Sequence, residues 1–204
     1  MLFEDTYQTI AGRSQGTFRD KASKFIGIAL PVASQEYLKE QLSAIRKEYH
    51  DANHHCYAYR LGFDKSEYRF NDDGEPSGSA GKPIYGQILS RDLTNILIVV
   101  TRYFGGTKLG IPGLINAYRT AARESLDRAT IVIKTINELY EIGFEYPLMN
   151  DVMRVLKEEN ADIVLQDFEN TCRIRFSVRK ANGSRIYSKF QRMHEVSITF
   201  LTIF

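Results

Sequence analysis

The segment Asn95 to Tyr103 constrains the fold more than any other stretch of the chain. Its centre, Ile96-Leu97-Ile98-Val99-Val100, is apolar at odd and even positions alike and rich in β-branched residues, so both faces of a strand built from it need covering. Gly105-Gly106 closes it. The segment is therefore expected in the middle of a sheet. It also holds the longest purely apolar run, far short of the ~20 residues that a membrane-crossing helix needs. The acidic start, Met1-Leu2-Phe3-Glu4-Asp5, carries no signal-peptide pattern, so the chain is expected to stay in the cytoplasm without a membrane partner.

Strand-like and helix-like periods alternate around this segment. A strand from Lys24 to Val32 leads into a helix capped by Ser34, with Leu38, Leu42, Ile45 and Tyr49 on one face. Tyr57, Tyr59 and Leu61 alternate with Ala58 and Arg60 in a strand over Cys56 to Leu61, and a loop leads to a short strand at Tyr68-Arg69-Phe70. Pro83 fits the first turn of a helix reaching about Leu93. Pro112 does the same for a helix from about Ile111 to Ala129, with Leu114, Tyr118, Ala121, Ala122 and Leu126 as its apolar stripe.

Past Thr130 the pattern restarts. Tyr140, Ile142, Phe144 and Tyr146 alternate as a strand, and Leu148 to Leu156 take helical spacing. Strands at Ile163 to Phe168 and Thr171 to Arg179 flank a turn at Glu169-Asn170, before a helix carrying Ile186 and Phe190 and a strand from Val196. This order, β-α-β-β-α-β, is the ferredoxin-like arrangement. The chain reads as α+β with two domains, 1–134 and 135–204, which suits a length of 204 residues.

Twenty-seven basic against 25 acidic residues give a formal charge of +2, so bulk charge makes no argument for nucleic acid and any such argument must be local. Cys56 and Cys172 each sit in a strand-like run and read as reduced core thiols. The most distinctive local feature is the loop Asn71 to Gly81, which sets Asp72, Asp73 and Glu75 beside Gly78 and Gly81. Such a loop suits a cation, an anion or a plain turn. It is no Walker A loop, since Pro76 stands at the first glycine position and Pro83, not Ser or Thr, follows Lys82.

Three other clusters stand out. His50, His54, His55 and Cys56 have some metal-ligand spacing but no fourth convincing ligand, and no metal is expected. Arg102, Lys108, Arg119 and Arg123 surround the Gly105-Gly106 turn, with Arg119 and Arg123 one helical turn apart, a face that suits phosphate or an acidic partner. Arg173, Arg175 and Arg179 alternate with apolar residues and would make one sheet face basic, without the exposed aromatics of sequence-specific RNA readers.

Three motifs in order resemble the IMPACT/YigZ family: Ala52-Asn53-His54-His55-Cys56-Tyr57-Ala58-Tyr59, Asn71-Asp72-Asp73-Gly74-Glu75-Pro76-Ser77-Gly78-Ser79-Ala80-Gly81-Lys82-Pro83, and Arg102-Tyr103-Phe104-Gly105-Gly106-Thr107-Lys108-Leu109-Gly110. The resemblance covers about Ser23 to Ala129. It implies a first domain of the ribosomal-protein and elongation-factor α+β superfold and a second domain similar to the last domain of elongation factor G. It also implies a translation-linked binding role, since the eukaryotic members restrain a stress kinase that inhibits initiation by competing for its activator.

Together these readings give a non-catalytic protein that needs no cofactor. RNA, the ribosome or a translation-associated protein is expected to meet Arg102, Lys108, Arg119, Arg123 and Lys82, beside a loop site of His54, Asp72, Asp73, Glu75, Gly78, Gly81, Gly105 and Gly106. The rival is a small hydrolase in which Asp72, Asp73 or Glu75 acts as base or holds a divalent cation, with His54 or His55 assisting. The rival requires the carboxylates and a histidine to converge in one pocket.

Overall fold

The computed structural model describes residues 5–168 and 171–204, so the turn read at Glu169-Asn170 and most of the acidic start lie outside the described residues. The chain is α+β and divides into two compact units, one of Gln8–Ile133 and one of Lys134–Phe204 together with the chain's start up to Tyr7. No helix among the described residues is long and apolar enough to cross a membrane.

In the first unit, β2 (Ser14–Asp20), β3 (Ser23–Pro31), β4 (His54–Leu61), β5 (Glu67–Asn71) and β6 (Ile96–Tyr103) form an antiparallel sheet in the order β2-β3-β6-β4-β5. The middle strand is β6, whose Ile96 to Val100 are completely buried. Alternation splits its side chains between two cores. Ile96, Ile98 and Val100 face α2 (Gly81–Ser90) and α3 (Gly110–Asp127), and Leu97 and Val99 face α1 (Gln35–Glu48). The cap expected at α1 is present, since Ser34 Oγ accepts from Tyr37 N at 3.2 Å.

Three strands have no counterpart in the sequence reading: β1 (Thr6–Ile10) and β7 (Ile131–Thr135), which pair in a two-stranded sheet, and β2. β2 reads Ser-Gln-Gly-Thr-Phe-Arg-Asp, too polar and glycine-bearing to show a strand by composition. Its glycine has a packing reason. Gly16 pairs with Gly27 across β2 and β3, and α3 lies directly on that pair. A Cβ on Gly27 would stand 2.2 Å from Ala121 O, and one on Gly16 would stand 2.4 Å from the Glu124 and Ser125 backbone.

The second unit runs β8 (Asn137–Phe144), α4 (Met149–Glu158), β9 (Asp162–Asp167), β10 (Cys172–Arg179), α5 (Lys180–Gln191) and β11 (Ser197–Ile203), with sheet order β11-β8-β10-β9. Val152, Leu156, Ile186 and Phe190 of the helices bury Tyr140, Ile142, Ile174 and Phe176 of the strands. The sheet face expected to be basic is largely neutralised. Arg175 Nε donates to Glu141 Oε2 at 2.7 Å, and Arg179 pairs with buried Asp5, while Arg173, exposed like the other two, makes no ion pair among the described residues.

The seat of α3 gives a direct test. Gly27→Ala should lower unfolding stability by about 1–3 kcal/mol, because the backbone that the new methyl meets cannot move aside. Gly12→Ala, with nothing within 4 Å of its would-be Cβ, should change stability by less than about 0.5 kcal/mol in the same denaturant titration.

Candidate functional site

Cross-strand register brings three side chains together at one end of the five-stranded sheet. His54 stands opposite Arg102, and Arg102 stands opposite Phe25. All three share the face covered by α2 and α3, because Arg102 is in phase with Ile98 and Val100, and His54 with Cys56 and Ala58. From α3, Tyr118 descends onto this row, its ring meeting Phe25 edge-on at 5.2 Å between centroids.

The loop between β5 and α2 completes the cluster with Glu75. Arg102 Nη1 donates to Glu75 Oε1 at 2.6 Å, and the Tyr118 hydroxyl donates to the same oxygen at 2.7 Å. The pair is deep, with side-chain exposures of 7% for Arg102 and 4% for Glu75. The Arg102 guanidinium lies between two rings, 5.5 Å from Phe25 and 5.4 Å from Phe104. Burial pushes the Tyr118 hydroxyl far above its ordinary range, which keeps it a donor. Burial likewise pushes the Cys56 thiol up, and its Sγ donates to Asp72 O at 2.9 Å. Cys56 is thus held as a thiol, unsuited to act as a thiolate nucleophile or metal ligand.

The other loop carboxylates are bound to the loop itself. Asp72 Oδ1 accepts from Ala80 N at 2.9 Å and Gly81 N at 2.8 Å, and Oδ2 accepts from Gly78 N at 2.9 Å. Asp72 therefore caps α2 from eight to nine residues upstream, satisfying N–H groups that a helix start leaves open. Gly81 lets this end of α2 touch the neighbouring strand, since a Cβ there would lie 2.7 Å from Asn71 N. Asp73 turns the chain at φ 43°, donates its N–H to Asn71 Oδ1 at 2.7 Å, and accepts from His55 N at 2.7 Å. His54 Nδ1 lies 2.8 Å from Asp73 O, and a carbonyl only accepts, so Nδ1 carries the hydrogen. His54 Nε2 is left 3.9 Å from Glu75 Oε1.

Above the Glu75–Arg102 pair opens a cavity of about 490 Å³, bordered by His54, Phe104, Lys108, Leu109, Ile111 and Leu114 among others. The model of the Impact N-terminal domain matches residues 21–126, the part of the chain that builds this cluster and cavity. The chain belongs to the IMPACT family. "IMPACT family member YigZ" of Escherichia coli is 31% identical over 90% of this chain and 91% of its own length. An "IMPACT family member in pol 5'region" of Thermus thermophilus is 45% identical over 61% of this chain and 65% of its own. A solved structure described as a crystal structure of an hypothetical protein superposes with TM-score 0.73 and 28% identity, covering 98% of both chains.

In this IMPACT family member the expected site residues separate into two groups. His54, Asp72, Asp73, Glu75 and Arg102 are drawn into the internal network, and Gly105 packs on the Ala22–Ser23 backbone. Gly78 and Gly106 turn the chain at φ 75° and 84°. Lys82, Lys108, Arg119 and Arg123 are exposed and make no side-chain hydrogen bond or ion pair among the described residues. Arg102, grouped with the cations by sequence, is therefore the anchor of Glu75. Tyr118 was read only as part of an apolar stripe, and Phe104 and Ile111 carried no polar signal at all. His55 faces away from His54, its Nε2 bonded to Tyr49 O at 2.9 Å, and no group of three or more His, Cys, Asp or Glu among the described residues is arranged to hold a metal ion.

If Asp72 is the cap of α2, Asp72→Ala should lower stability by about 2–3 kcal/mol in denaturant unfolding, because three backbone donors lose a charged acceptor. Asp72→Asn, which keeps one acceptor oxygen, should lose clearly less.

Proposed function

We propose that this IMPACT family member is a non-catalytic, translation-linked binding protein that holds RNA phosphates, on a ribosome or in a structured RNA, with Lys108, Arg119, Arg123 and Lys82. The observation that carries this reading is the division of charge in the first unit. The loop carboxylates are engaged inward, by Arg102, Tyr118 and backbone N–H groups, while the four cations stand exposed without partners among the described residues. Unpaired cations on a rigid helix and turn suit a polyanion, since phosphate contacts release counterions and need no further device.

The same division speaks against the hydrolase reading. A general base needs a free carboxylate within reach of a proton, and Asp72 is held by three N–H donors. Glu75 approaches His54, but its nearer oxygen already accepts from Arg102 and Tyr118. The translation link is supported by the family resemblance. The finer fold reading is supported by the second unit, whose β-α-β-β-α-β order and β11-β8-β10-β9 sheet are those of a ferredoxin-like domain, as in the last domain of elongation factor G.

Salt dependence tests the proposal. The slope of log affinity for structured RNA against log salt should flatten by about 2–3 units when Lys108, Arg119 and Arg123 are all changed to Ala, each contact contributing roughly 0.7–0.9. Thermal melts should stay nearly unchanged, since exposed substitutions of this kind shift stability by less than about 0.5 kcal/mol. A wild-type protein with no salt-dependent RNA affinity would refute the RNA reading, and capture of a protein that survives nuclease treatment would replace it with a protein partner.

A further inference from the structure

Exposed aromatic side chains on a strand, which β10 lacks, are present on β5, the edge of the five-stranded sheet. Tyr68 is 54% exposed and Phe70 39% exposed. Alternation sends both to the face of the sheet that α2 covers, because Phe70 stands opposite Ala58 and Tyr68 opposite Arg60. Tyr85 of α2 meets them there. Its ring stacks on that of Tyr68, with centroids 5.0 Å apart and planes at 16°, and lies 5.8 Å from that of Phe70. Leu89, one turn further along α2 and itself exposed, extends the apolar area.

The charge around this patch is positive. Lys82 is exposed on α2 three residues before Tyr85, on the same side of the helix. Arg60, directly across from Tyr68, and Lys65 share one carboxylate, that of Asp92, at 3.2 and 2.6 Å. Three cations thus stand against one carboxylate. Glu67, the acidic residue of β5, is sent by alternation to the opposite face, where Gln35 donates to it. An apolar protein surface has no use for that surplus of positive charge, whereas a nucleotide brings a planar base and a phosphate together. The patch is also well placed, since α2 packs beside α3 over one sheet face and α3 carries the exposed Arg119 and Arg123.

We infer that Tyr68, Phe70 and Tyr85 form a stacking platform for an unpaired base of the bound RNA, with Lys82 on the phosphate beside it. The base lies on Tyr68, the more exposed ring of the stacked pair. A base inside a duplex cannot present its face to such a platform, so the site selects RNA that carries unpaired nucleotides next to its structured part. Every base has a π-face, and no preference among the bases is expected. The inference deepens the proposed function and rests on it, because Lys108, Arg119 and Arg123 hold the structured part while the platform takes the nucleotide outside it.

The test uses the full chain and RNA hairpins that share one stem: a blunt hairpin, one with a short single-stranded extension, and one whose extension keeps its phosphates but has abasic sugars. The extended hairpin should bind at least about fivefold more tightly than the abasic one, and Tyr68→Thr/Phe70→Thr should remove that ratio. Threonine suits an edge strand, and an unchanged melting temperature shows that the fold is kept. Tyr68→Phe, which keeps the ring, should keep the ratio. The chain has no tryptophan, so Tyr68→Trp supplies a single indole whose fluorescence base stacking quenches. Saturable quenching by the extended hairpin and none by the abasic one is the expected signature, which a merely structural role for the rings would not produce. Equal affinity for the extended and abasic hairpins, or an indole that the extended hairpin does not quench, overturns the inference and leaves the patch to a protein partner. Changing Lys108, Arg119 and Arg123 to Ala should weaken binding of every hairpin, whereas the ratio of extended to abasic reads the platform by itself. Salt-dependent binding without that ratio removes this inference alone, the ratio without a salt slope carried by those cations removes the phosphate contacts alone, and no affinity for any hairpin removes both.

Discussion

The buried ion pair between Glu75 and Arg102 is the interaction on which the first unit's functional end depends. It joins a loop residue to the last turns of the central strand, and through Tyr118 and Cys56 it reaches α3 and β4. Removing two charges from water is unfavourable, and their attraction offsets that only with good geometry and satisfied surroundings. Here the geometry is a 2.6 Å contact, a hydroxyl donor on the same oxygen, and aromatic rings on both sides of the guanidinium. Breaking the pair from one side leaves a charge at less than a tenth of its full exposure. The pair therefore fixes where the loop goes, and the loop fixes the start of α2 through Asp72.

The proposed function follows from what the pair leaves outside. With its carboxylates turned inward, a loop that looks acidic in sequence presents little free negative charge to a ligand, and the cations of α3 and the turn before it dominate the surface that remains. An acidic motif is thus compatible with the proposed phosphate contacts of Lys108, Arg119, Arg123 and Lys82.

Much of this was legible in the sequence. The central strand announced itself through five apolar residues without a period, and Ser34, Pro83 and Pro112 marked helix starts to within a few residues. Arg102 was legible in principle as well. It stands in phase with Ile96, Ile98 and Val100, so strand alternation places it on a buried face, and a buried arginine needs a carboxylate. What alternation cannot give is which carboxylate, because Glu75 lies 27 residues away on a loop without a period. β2 was hidden for a different reason: its glycine serves a helix packed from above, a contact that belongs to the tertiary structure and leaves no local pattern. Phe104 and Ile111 were hidden because an apolar residue at a cavity mouth reads like any other.

The most direct measurement of the central claim is a double-mutant cycle on the pair, with Glu75→Gln, Arg102→Met and the double variant followed by denaturant unfolding. Arg102→Met alone should lower stability by about 3–5 kcal/mol, since it leaves Glu75 charged and buried, and adding Glu75→Gln should restore a large part of that loss. Single variants that change stability by less than about 0.5 kcal/mol, or losses that simply add in the double variant, would contradict the account.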